Sequence, residues 1–220
     1  METHAYRAVI FDMDGTLLDT IDDIADSMNQ ALRKLGLPAH PVARYLDFIG
    51  EGIEVMAMKA LPEMKRSPQT MIHAVNAMRE EYASRWSNTS RAFYGIAELL
   101  DGLEEKGIRI SILTNKIDAF AKAMAARLLP DWSFDEVRGL TPDCPRKPDP
   151  AGALLCAESM GVNPGQCILV GDSAIDMQTA VSAGMVPVGA LWGYQDRERL
   201  MAGGAGILIS DPRELLGYFP

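Results

Sequence analysis

Residues 8–20 have the sequence AVIFDMDGTLLDT, and this stretch decides the fold. Its first four residues are apolar and β-prone, which is the pattern of a buried strand. Three aspartates follow at once, namely Asp12, Asp14 and Asp19. Aspartate beside glycine often only starts a turn or caps a helix, so this spacing alone is weak support for a catalytic site. The ends of the other predicted strands decide between these two interpretations.

Four further apolar runs have the composition of strands. They are RISILTN (109–115), CILVGD (167–172), VPVGAL (186–191) and GILIS (206–210). Segments with helical apolar spacing separate several of them, as at Ile96, Leu99, Leu100 and Leu103, and glycines that suit helix ends follow at 107, 161 and 184. Alternating strands and helices, with strands apolar on both faces, are typical of a parallel sheet covered by helices. The sequence therefore predicts an α/β fold with a doubly wound, Rossmann-like parallel sheet.

A long segment without a strand pattern separates the first two predicted strands. It covers roughly eighty residues, far more than an ordinary connection between consecutive elements. Its first helix has apolar residues at helical spacing from Ile21 to Leu35 and ends at Gly36-Leu37-Pro38. We predict an inserted all-helical cap domain at residues 19–89 and an α/β catalytic core domain at residues 1–18 and 90–220. The methionines of the insert are interpreted as adaptable core residues: Met56, Met58, Met64, Met71 and Met78.

The composition and net charge of the chain exclude some classes of binding partner. The 220-residue chain has a formal net charge of −9, and without a long basic run it is expected to bind neither nucleic acid nor an anionic membrane. The chain has no signal-like start and no long apolar run, so the expected location is cytoplasmic. Its three cysteines lack CxxC spacing and are expected to be reduced thiols. We expect a small-molecule partner and a monomer or homodimer.

Reactive residues follow three of the predicted strands at one edge of the predicted sheet. Ligands of open parallel sheets bind outside the carboxyl ends of the strands. Those positions hold Asp12 and Asp14, then Thr114-Asn115-Lys116, then Gly171-Asp172-Ser173 with Asp176 one turn later. The loop Arg146-Lys147-Pro148-Asp149-Pro150 lies between the last two groups in the chain. This coincidence favours one catalytic site over several unrelated turns and caps.

Four segments resemble the motifs of one enzyme superfamily. DMDGTLLDT, ILTN, RKPDP and VGDSAID resemble, in order and spacing, the four motifs of the haloacid dehalogenase superfamily of phosphohydrolases. The resemblance covers nearly the whole chain, because the helical insert corresponds to the mobile cap of that family. FIGEGIEV (48–55), the lysine of LTNK and the tail beginning VGALWGY resemble its phosphoglycolate phosphatase branch. The resemblance implies hydrolysis of a small phosphorylated metabolite, with 2-phosphoglycolate as the expected substrate.

Phosphate monoester hydrolysis needs several catalytic groups together, because one positioned acid or base supplies only about 10²–10⁴-fold. Asp12 is the candidate nucleophile, which would form an aspartyl-phosphate that water then cleaves. The resemblance assigns Asp14 as general acid and then as general base. It also implies Mg²⁺, held by Asp12, Asp172 and the backbone carbonyl of Asp14. Asp176 and Ser173 are expected behind the metal ligands, and a helix-capping role ranks first for Ser173.

Phosphate-binding groups are expected at the end of the second strand and in the following loop. Thr114 offers a hydroxyl, Asn115 a backbone N–H and Lys147 a compact positive charge. A lone loop lysine is normally exposed to solvent, but the place of Lys147 between two acidic strand ends favours phosphate binding. Lys116 and Arg146 are interpreted as surface charges.

In the predicted cap, Gly50-Glu51-Gly52 matches a glycine-flanked loop that faces the active site in phosphoglycolate phosphatases. Two glycines permit close backbone approach, so the N–H groups of this loop could bind a substrate carboxylate when the cap closes. The alternative is a plain break between two cap helices.

Other activities share parts of this pattern. A dehalogenase does not need a second acid, so Asp14 argues against it. A β-phosphoglucomutase-like mutase keeps both aspartates and the helical cap. A phosphonatase adds a cap lysine, a role for which Lys59 and Lys65 are poor candidates because surface positions are expected for both. Sugar phosphates, nucleotides and pyrophosphate are alternative substrates. A receiver-like phosphoacceptor switch belongs to a different class and is disfavoured by the long insert and by the second carboxylate.

Overall fold

The computed structural model describes residues 6–220, which divide into two compact units. The sheet unit comprises the described residues up to Asp19 together with Ala92–Pro220. The helical unit is Thr20–Arg91. Across residues 6–220, no helix combines the length and the apolar character that a membrane span requires.

Eight strands occur in the described part of the chain, and six of them form one parallel sheet. The strands are β1 (Ala8–Phe11), β2 (Leu18–Asp19), β3 (Arg91–Ala92), β4 (Arg109–Ile117), β5 (Glu136–Leu140), β6 (Cys167–Gly171), β7 (Val186–Ala190) and β8 (Ile207–Ile209). The main sheet has the order β5-β4-β1-β6-β7-β8, and each neighbouring pair is parallel. The short strands β2 and β3 form a separate two-stranded sheet. β1 and β6 are buried along their whole length, as expected for strands covered on both faces.

The α-helices of the described residues are α1 (Ile21–Lys34), α2 (Val42–Tyr45), α3 (Ile53–Ala60), α4 (Pro68–Arg85), α5 (Ile96–Glu105), α6 (Asp118–Leu128), α7 (Ala151–Ser159), α8 (Ala174–Ser182) and α9 (Arg197–Gly203). Helices α7 and α8 pack against the central strands of the main sheet. Helix α5 buries the predicted apolar face, and α1 and α4 pack together in the helical unit. The predicted doubly wound α/β sheet with a helical insert is confirmed.

β5 is a strand that the sequence analysis does not predict. It is an edge strand, and its sequence EVRGL carries the half-buried ion pair between Arg138 and Glu136, at 3.4 Å. An edge strand tolerates charges that a central strand does not, so β5 lacks the apolar run that predicts the other five strands of the main sheet.

The interpretation of the insert methionines as core residues is partly wrong. Met56 and Met78 are buried in the helical unit, but Met58 is 42% exposed and Met64 is 98% exposed. Met64 lies in a short 3₁₀ turn, Glu63–Lys65, where the chain passes between α3 and α4. Residue type alone therefore did not separate the helix faces from the connecting turn.

Hydrogen bonds to Asp23 link the two ends of the helical unit. Its carboxylate accepts hydrogen bonds from the backbone N–H and hydroxyl of Thr89, at 3.0 and 2.7 Å, and from those of Ser90, at 2.8 and 2.7 Å. Burial alone would raise the pKa of Asp23, but these hydrogen bonds outweigh that effect and lower it. The start of α1 is thereby fixed to the segment that leaves the helical unit.

The cysteines are buried free thiols in the described chain, as expected. Burial raises the pKa of Cys156 to about 12 and that of Cys167 to about 11, so neither is poised to act as a nucleophilic thiolate.

Candidate active site

The strand order brings three predicted site segments together. β1 lies between β4 and β6, and its last residue, Phe11, is in register with Ile112 and with Val170. The residues that follow on all three strands therefore leave the sheet at the same edge. The chain continues from β1 to β4 and β5 on one side and then to β6, β7 and β8 on the other, so the strand order changes direction at β1. The carboxyl ends of the strands at such a point are the usual ligand site of an open parallel sheet.

The chain turns sharply after β1, and Asp12 and Asp14 lie in this turn. The Asp12 N–H still pairs with the Val170 carbonyl at 2.9 Å, while Gly15 adopts a positive φ of 89°. A Cβ at Gly15 would lie 2.2 Å from Oδ2 of Asp172, so glycine is required both for the turn and for the close approach.

Three buried carboxylates form a cluster at this edge. One oxygen each of Asp12, Asp172 and Asp176 lies within 4.8 Å of the others. Burial and then repulsion by Asp176 raise the pKa of Asp12 to about 7, against the opposing attraction of Lys147. Burial, followed by the charges of Asp12 and Asp176, also raises the pKa of Asp172. The cluster therefore favours the gain of a proton or of another cation.

Lys147 is buried inside the acidic cluster rather than extended into solvent. Its ammonium donates to Oδ1 of Asp12 at 2.7 Å, to Oδ1 of Asp176 at 2.6 Å and to the Leu113 carbonyl at 3.0 Å. Burial alone would lower the pKa of Lys147, but the two carboxylates outweigh this and raise it. The lysine is thus held as a cation beside Asp12.

Asn115 positions the loop that carries Lys147. Its side-chain amide donates to the Lys147 carbonyl at 3.1 Å, and its Oδ1 accepts from the Lys147 N–H at 2.8 Å. The sequence analysis assigned only the backbone N–H of Asn115, so this use of its side chain is new. The hydroxyl oxygen of Thr114 accepts from the Lys116 N–H at 3.2 Å, and Thr114 is buried beside it.

Ser173 caps α8, as the sequence interpretation ranked first. Its Oγ accepts from the Asp176 N–H, while its own N–H and hydroxyl donate to Oδ2 of Asp176 at 3.0 and 2.6 Å. Both carboxylate oxygens of Asp176 therefore have protein donors, Ser173 on one and Lys147 on the other. This arrangement suits Asp176 to a place behind the metal ligands.

Asp172 is held by residues that the sequence analysis missed. Its Oδ2 accepts from the Tyr194 N–H at 2.8 Å, and its Oδ1 accepts from the Thr16 hydroxyl at 3.2 Å. A Cβ at Gly193 would lie 2.2 Å from Cβ of Asp172. Trp192 reaches the Thr16 carbonyl at 2.9 Å through its indole N–H. The sequence analysis assigns the segment Leu191-Trp192-Gly193-Tyr194 no contact with Asp172, although a glycine between two aromatic residues is a signal for such a close approach.

The interpretation of Lys116 as a surface charge is wrong. Its side chain is only 7% exposed, and its ammonium lies 3.0 Å from Oδ2 of Asp14. Lys116 lies near the end of β4, directly after the buried residues of that strand, and its pairing with Asp14 compensates for the burial of a lysine there. Arg146, by contrast, is exposed as expected.

Gly50-Glu51-Gly52 lies in the helical unit, directly before α3. Gly50 and Gly52 have positive φ values of 102° and 88°, and the Glu51 carboxylate pairs with Lys59 at 2.8 Å. The two glycines thus give this loop a backbone conformation that other residues rarely adopt. Its role in binding a substrate carboxylate stays a prediction.

The donor set of the cluster fits a hard divalent cation. Carboxylate oxygens are the ligands that Mg²⁺ prefers, and the raised pKa values of Asp12 and Asp172 indicate that a nearby positive charge would stabilise their ionised forms. Asp12 and Asp172 would hold the ion, together with the predicted backbone carbonyl of Asp14.

Known proteins share both the sequence and the fold of this chain. The family model described as haloacid dehalogenase-like hydrolase matches residues 9–190. The chain belongs to the haloacid dehalogenase-like hydrolase family. It is 33% identical over 227 residues to the N-acetylmuramic acid 6-phosphate phosphatase of Pseudomonas aeruginosa, across 98% of this chain and 96% of that protein. It is 30% identical over 210 residues to the phosphoglycolate phosphatase of Xanthomonas campestris pv. campestris, across 95% and 94% of the two chains.

Solved structures give the same family. A haloacid dehalogenase-like family hydrolase from Streptococcus pneumoniae superposes with a TM-score of 0.88 at 25% identity, and the match covers 100% of both chains. As a haloacid dehalogenase-like phosphatase, the protein is a phosphoric monoester hydrolase that acts on small phosphorylated substrates, and the predicted enzyme class is confirmed. Phosphatases of this family generally use Mg²⁺, in keeping with the chemistry of the buried cluster.

Proposed function

We propose that this phosphatase hydrolyses a small, carboxylated phosphate monoester, with 2-phosphoglycolate as the first candidate, through an aspartyl-phosphate on Asp12. One observation carries the proposal: the buried Asp12 carboxylate has the Lys147 ammonium 2.7 Å away on one side and belongs to a compact carboxylate cluster with Asp172. A carboxylate in that setting is fixed, desolvated and beside a cation, which is the environment in which it can attack a phosphoryl group.

The chain's own residues account for both halves of the reaction. Asp12 attacks phosphorus, and the bond from phosphorus to the leaving oxygen breaks as Asp14 gives that oxygen a proton. Asp14 then removes a proton from the water that cleaves the aspartyl-phosphate and restores Asp12. Lys147 balances the charge of the transferring phosphoryl group, and Thr114 and Asn115 are proposed to contact its oxygens.

The proposed metal is Mg²⁺, which when bound would supply positive charge beside the phosphoryl group. Asp12, Asp172 and the backbone carbonyl of Asp14 would hold it. Asp176 and Ser173 would lie behind these ligands, because their polar groups already bond to each other and Lys147 occupies the remaining carboxylate oxygen of Asp176.

A carboxylated substrate is proposed for two reasons. The relatives are named for phosphoglycolate and for N-acetylmuramic acid 6-phosphate, and both compounds carry a carboxylate. Gly50-Glu51-Gly52 has the open backbone that could present N–H groups to such a carboxylate. We propose that residues 19–89 act as the cap that carries this loop and that residues 1–18 and 90–220 form the catalytic domain. N-acetylmuramic acid 6-phosphate is the second candidate substrate.

Alternative activities are separated by one substrate panel. Phosphate release with Mg²⁺ would be measured as kcat/KM for 2-phosphoglycolate, N-acetylmuramic acid 6-phosphate, hexose phosphates, nucleotides, pyrophosphate and a phosphonate. We expect multiple turnover, with the highest kcat/KM on a carboxylated monoester. Single turnover would indicate a phosphoacceptor switch, and preference for an uncarboxylated ester would remove the substrate proposal while keeping the phosphatase. A phosphonatase is disfavoured because the Lys59 ammonium is paired with Glu51 at 2.8 Å.

The nucleophile is tested by Asp12→Asn. The variant should lose turnover and should not form an acid-stable phosphoenzyme when it is quenched with labelled substrate. Asp22→Asn is the matched control, since Asp22 is an exposed aspartate of α1 outside the cluster. A phosphoenzyme trapped in Asp12→Asn would assign the nucleophile to another residue.

The cap loop is tested by Gly50→Val. A side chain is strained at a φ of 102°, so the loop must change its backbone conformation. We expect KM for the preferred carboxylated ester to rise while kcat/KM for 4-nitrophenyl phosphate is unchanged. Gly36→Val is the control, because Gly36 also lies in the helical unit with a positive φ of 67° and open space around it. Equal effects on both substrates would contradict the role of the loop.

A further inference from the structure

The active site contains two buried lysines with separate partners. The ammonium of Lys147 has three N–H donors, and they are directed to Asp12, Asp176 and the Leu113 carbonyl. Lys147 therefore has no donor left for Asp14. Lys116 supplies the positive charge there, with Nζ at 3.0 Å from Oδ2 of Asp14.

The backbone of Lys116 is fixed as well as its ammonium. Its N–H donates to the Thr114 hydroxyl at 3.2 Å, and it lies in the part of β4 where pairing with β5 shifts register, between Leu113 and Ile117. The side chain is 7% exposed, whereas that of Asp14 is 20% exposed. An anchored, buried lysine beside a more accessible carboxylate restricts how that carboxylate can rotate.

We propose that Lys116 is the positioning residue of Asp14. This inference rests on the proposed function, in which Asp14 gives a proton to the leaving oxygen. By holding Oδ2, Lys116 fixes the plane of the carboxylate and therefore the direction in which Asp14 meets that oxygen. Proton transfer depends steeply on such geometry, because a displacement of about 1 Å can cost about 10²-fold in rate.

The proposal makes the contribution of Lys116 depend on the leaving group. An alkoxide is a poor leaving group and needs the proton from Asp14, whereas 2,4-dinitrophenolate departs as a stable anion. The ratio kcat/KM reports the steps up to phosphoenzyme formation, so the later attack of water does not enter the comparison. Loss of Lys116 should therefore slow alkyl phosphates selectively.

The experiment compares Lys116→Met with wild type on two substrates. They are the alkyl ester that wild type hydrolyses best in the panel and 2,4-dinitrophenyl phosphate. We expect kcat/KM to fall by about 10²-fold for the alkyl ester and to stay near the wild-type value for the dinitrophenyl ester. Lys116→Arg, which keeps a cation, should restore part of the alkyl activity. Lys122→Met is the control, because Lys122 is an exposed lysine paired with Asp118 on α6.

A double-mutant cycle tests whether Lys116 acts through Asp14. If it does, adding Lys116→Met to Asp14→Asn should change the alkyl kcat/KM no further. Additive losses would overturn the proposal. So would equal losses on both esters, which would indicate a general effect on the phosphate site. A loss confined to KM of carboxylated esters, with uncarboxylated alkyl esters spared, would assign Lys116 to the substrate carboxylate instead.

The outcome for wild type separates this inference from the proposed function. If wild type hydrolyses neither ester, or if Asp12→Asn remains active on both, the proposed function fails. If wild type hydrolyses both through Asp12 and Lys116→Met loses them equally, only the inference fails. Activity of Lys116→Met on the dinitrophenyl ester also reports that the variant is folded. Should it be unfolded, Lys116→Gln allows the same comparison.

Discussion

Acidification should weaken Mg²⁺ binding steeply, because protons and the metal ion compete for the same buried oxygens. The pKa of Asp12 is raised from 3.8 to about 7 by burial and by the neighbouring Asp176. Below pH 7 the proton must leave before the carboxylate can bind the ion, at a cost of about 1.4 kcal/mol per pH unit. From pH 8 to pH 5 the apparent Kd for Mg²⁺ should therefore rise about a hundredfold through Asp12 alone, or about 2.7 kcal/mol. The raised pKa of Asp172 should steepen this dependence.

Titration calorimetry of Mg²⁺ at pH 5, 6, 7 and 8 measures this effect directly. Repeating each titration in two buffers of different ionisation enthalpy gives the number of protons released, which should be about one or more at pH 6. Asp22→Asn should behave as wild type, since Asp22 lies outside the cluster. A Kd that is constant between pH 5 and pH 8, or binding at pH 6 without proton release, would refute the reasoning.

The same groups set the sign of a stability effect. The folded state binds protons on Asp12 and Asp172 more tightly than the unfolded state does, because both pKa values are raised on folding. The favourable contribution of Asp12 is complete below pH 3.8 and is lost as the pH rises through about 7, and that of Asp172 is lost in the same direction. The increase in Tm that Mg²⁺ produces should accordingly grow between pH 5 and pH 8.

Three further substitutions test buried contacts, two of them at the carboxylate cluster and one within the helical unit. Lys147→Met leaves two buried carboxylates without their cation, so the free energy of unfolding in urea at pH 8 without Mg²⁺ should fall by about 3–5 kcal/mol. Gly193→Ala puts a Cβ 2.2 Å from that of Asp172, so the apparent Kd for Mg²⁺ should rise at least about tenfold with the circular dichroism spectrum retained. Asp23→Ala removes the acceptor of the N–H and hydroxyl of Thr89 and of the buried Ser90, which should lower the free energy of unfolding of the helical unit by about 2 kcal/mol or more.

Matched controls accompany these substitutions. Gly165→Ala adds a Cβ that meets nothing within 4 Å and should leave the affinity for Mg²⁺ unchanged. Asp22→Ala removes an exposed aspartate adjacent to Asp23 and should have little effect on unfolding. Because the pKa of Asp23 is lowered on folding, its stabilising contribution should be present at neutral pH and disappear on acidification. Equal unfolding curves for the two aspartate variants would show that the hydrogen bonds of Asp23 to Thr89 and Ser90 do not stabilise the helical unit.

The sequence predicts correctly those elements whose hydrophobic pattern matches their burial in the folded protein. The run before Asp12 is apolar because β1 is covered on both faces, and the helices end at glycines such as Gly36 and Gly107, whose φ values are positive. β5 escaped prediction because, at the edge of the sheet, it can carry charged residues that break the apolar pattern.

The parts of the site that escaped prediction depend on contacts between distant segments. Lys116 stands near the end of β4 in a sequence that fits a surface loop equally well, and its ion pair is with Asp14, which lies about a hundred residues away in the chain. Gly193 must be a glycine because Asp172, from another strand end, packs directly against it. The local sequence around Gly193 does not predict this contact. Sequence motifs predicted the candidate catalytic groups and the Ser173 cap, whereas the contact of Tyr194 with Asp172 and that of Lys116 with Asp14 required the three-dimensional structure.

The two hydrogen bonds between the Asn115 side chain and the Lys147 backbone have a consequence for the chemical ageing of the enzyme. Deamidation of Asn115 would remove the amide that donates to the Lys147 carbonyl and would add a negative charge beside an acidic cluster. That reaction begins when the following backbone nitrogen attacks the side-chain amide. Here that nitrogen belongs to Lys116 and is engaged by the Thr114 hydroxyl at 3.2 Å, within an extended strand. The strand that carries Thr114 and Asn115 thereby also protects Asn115 from the reaction that would break its contact with Lys147.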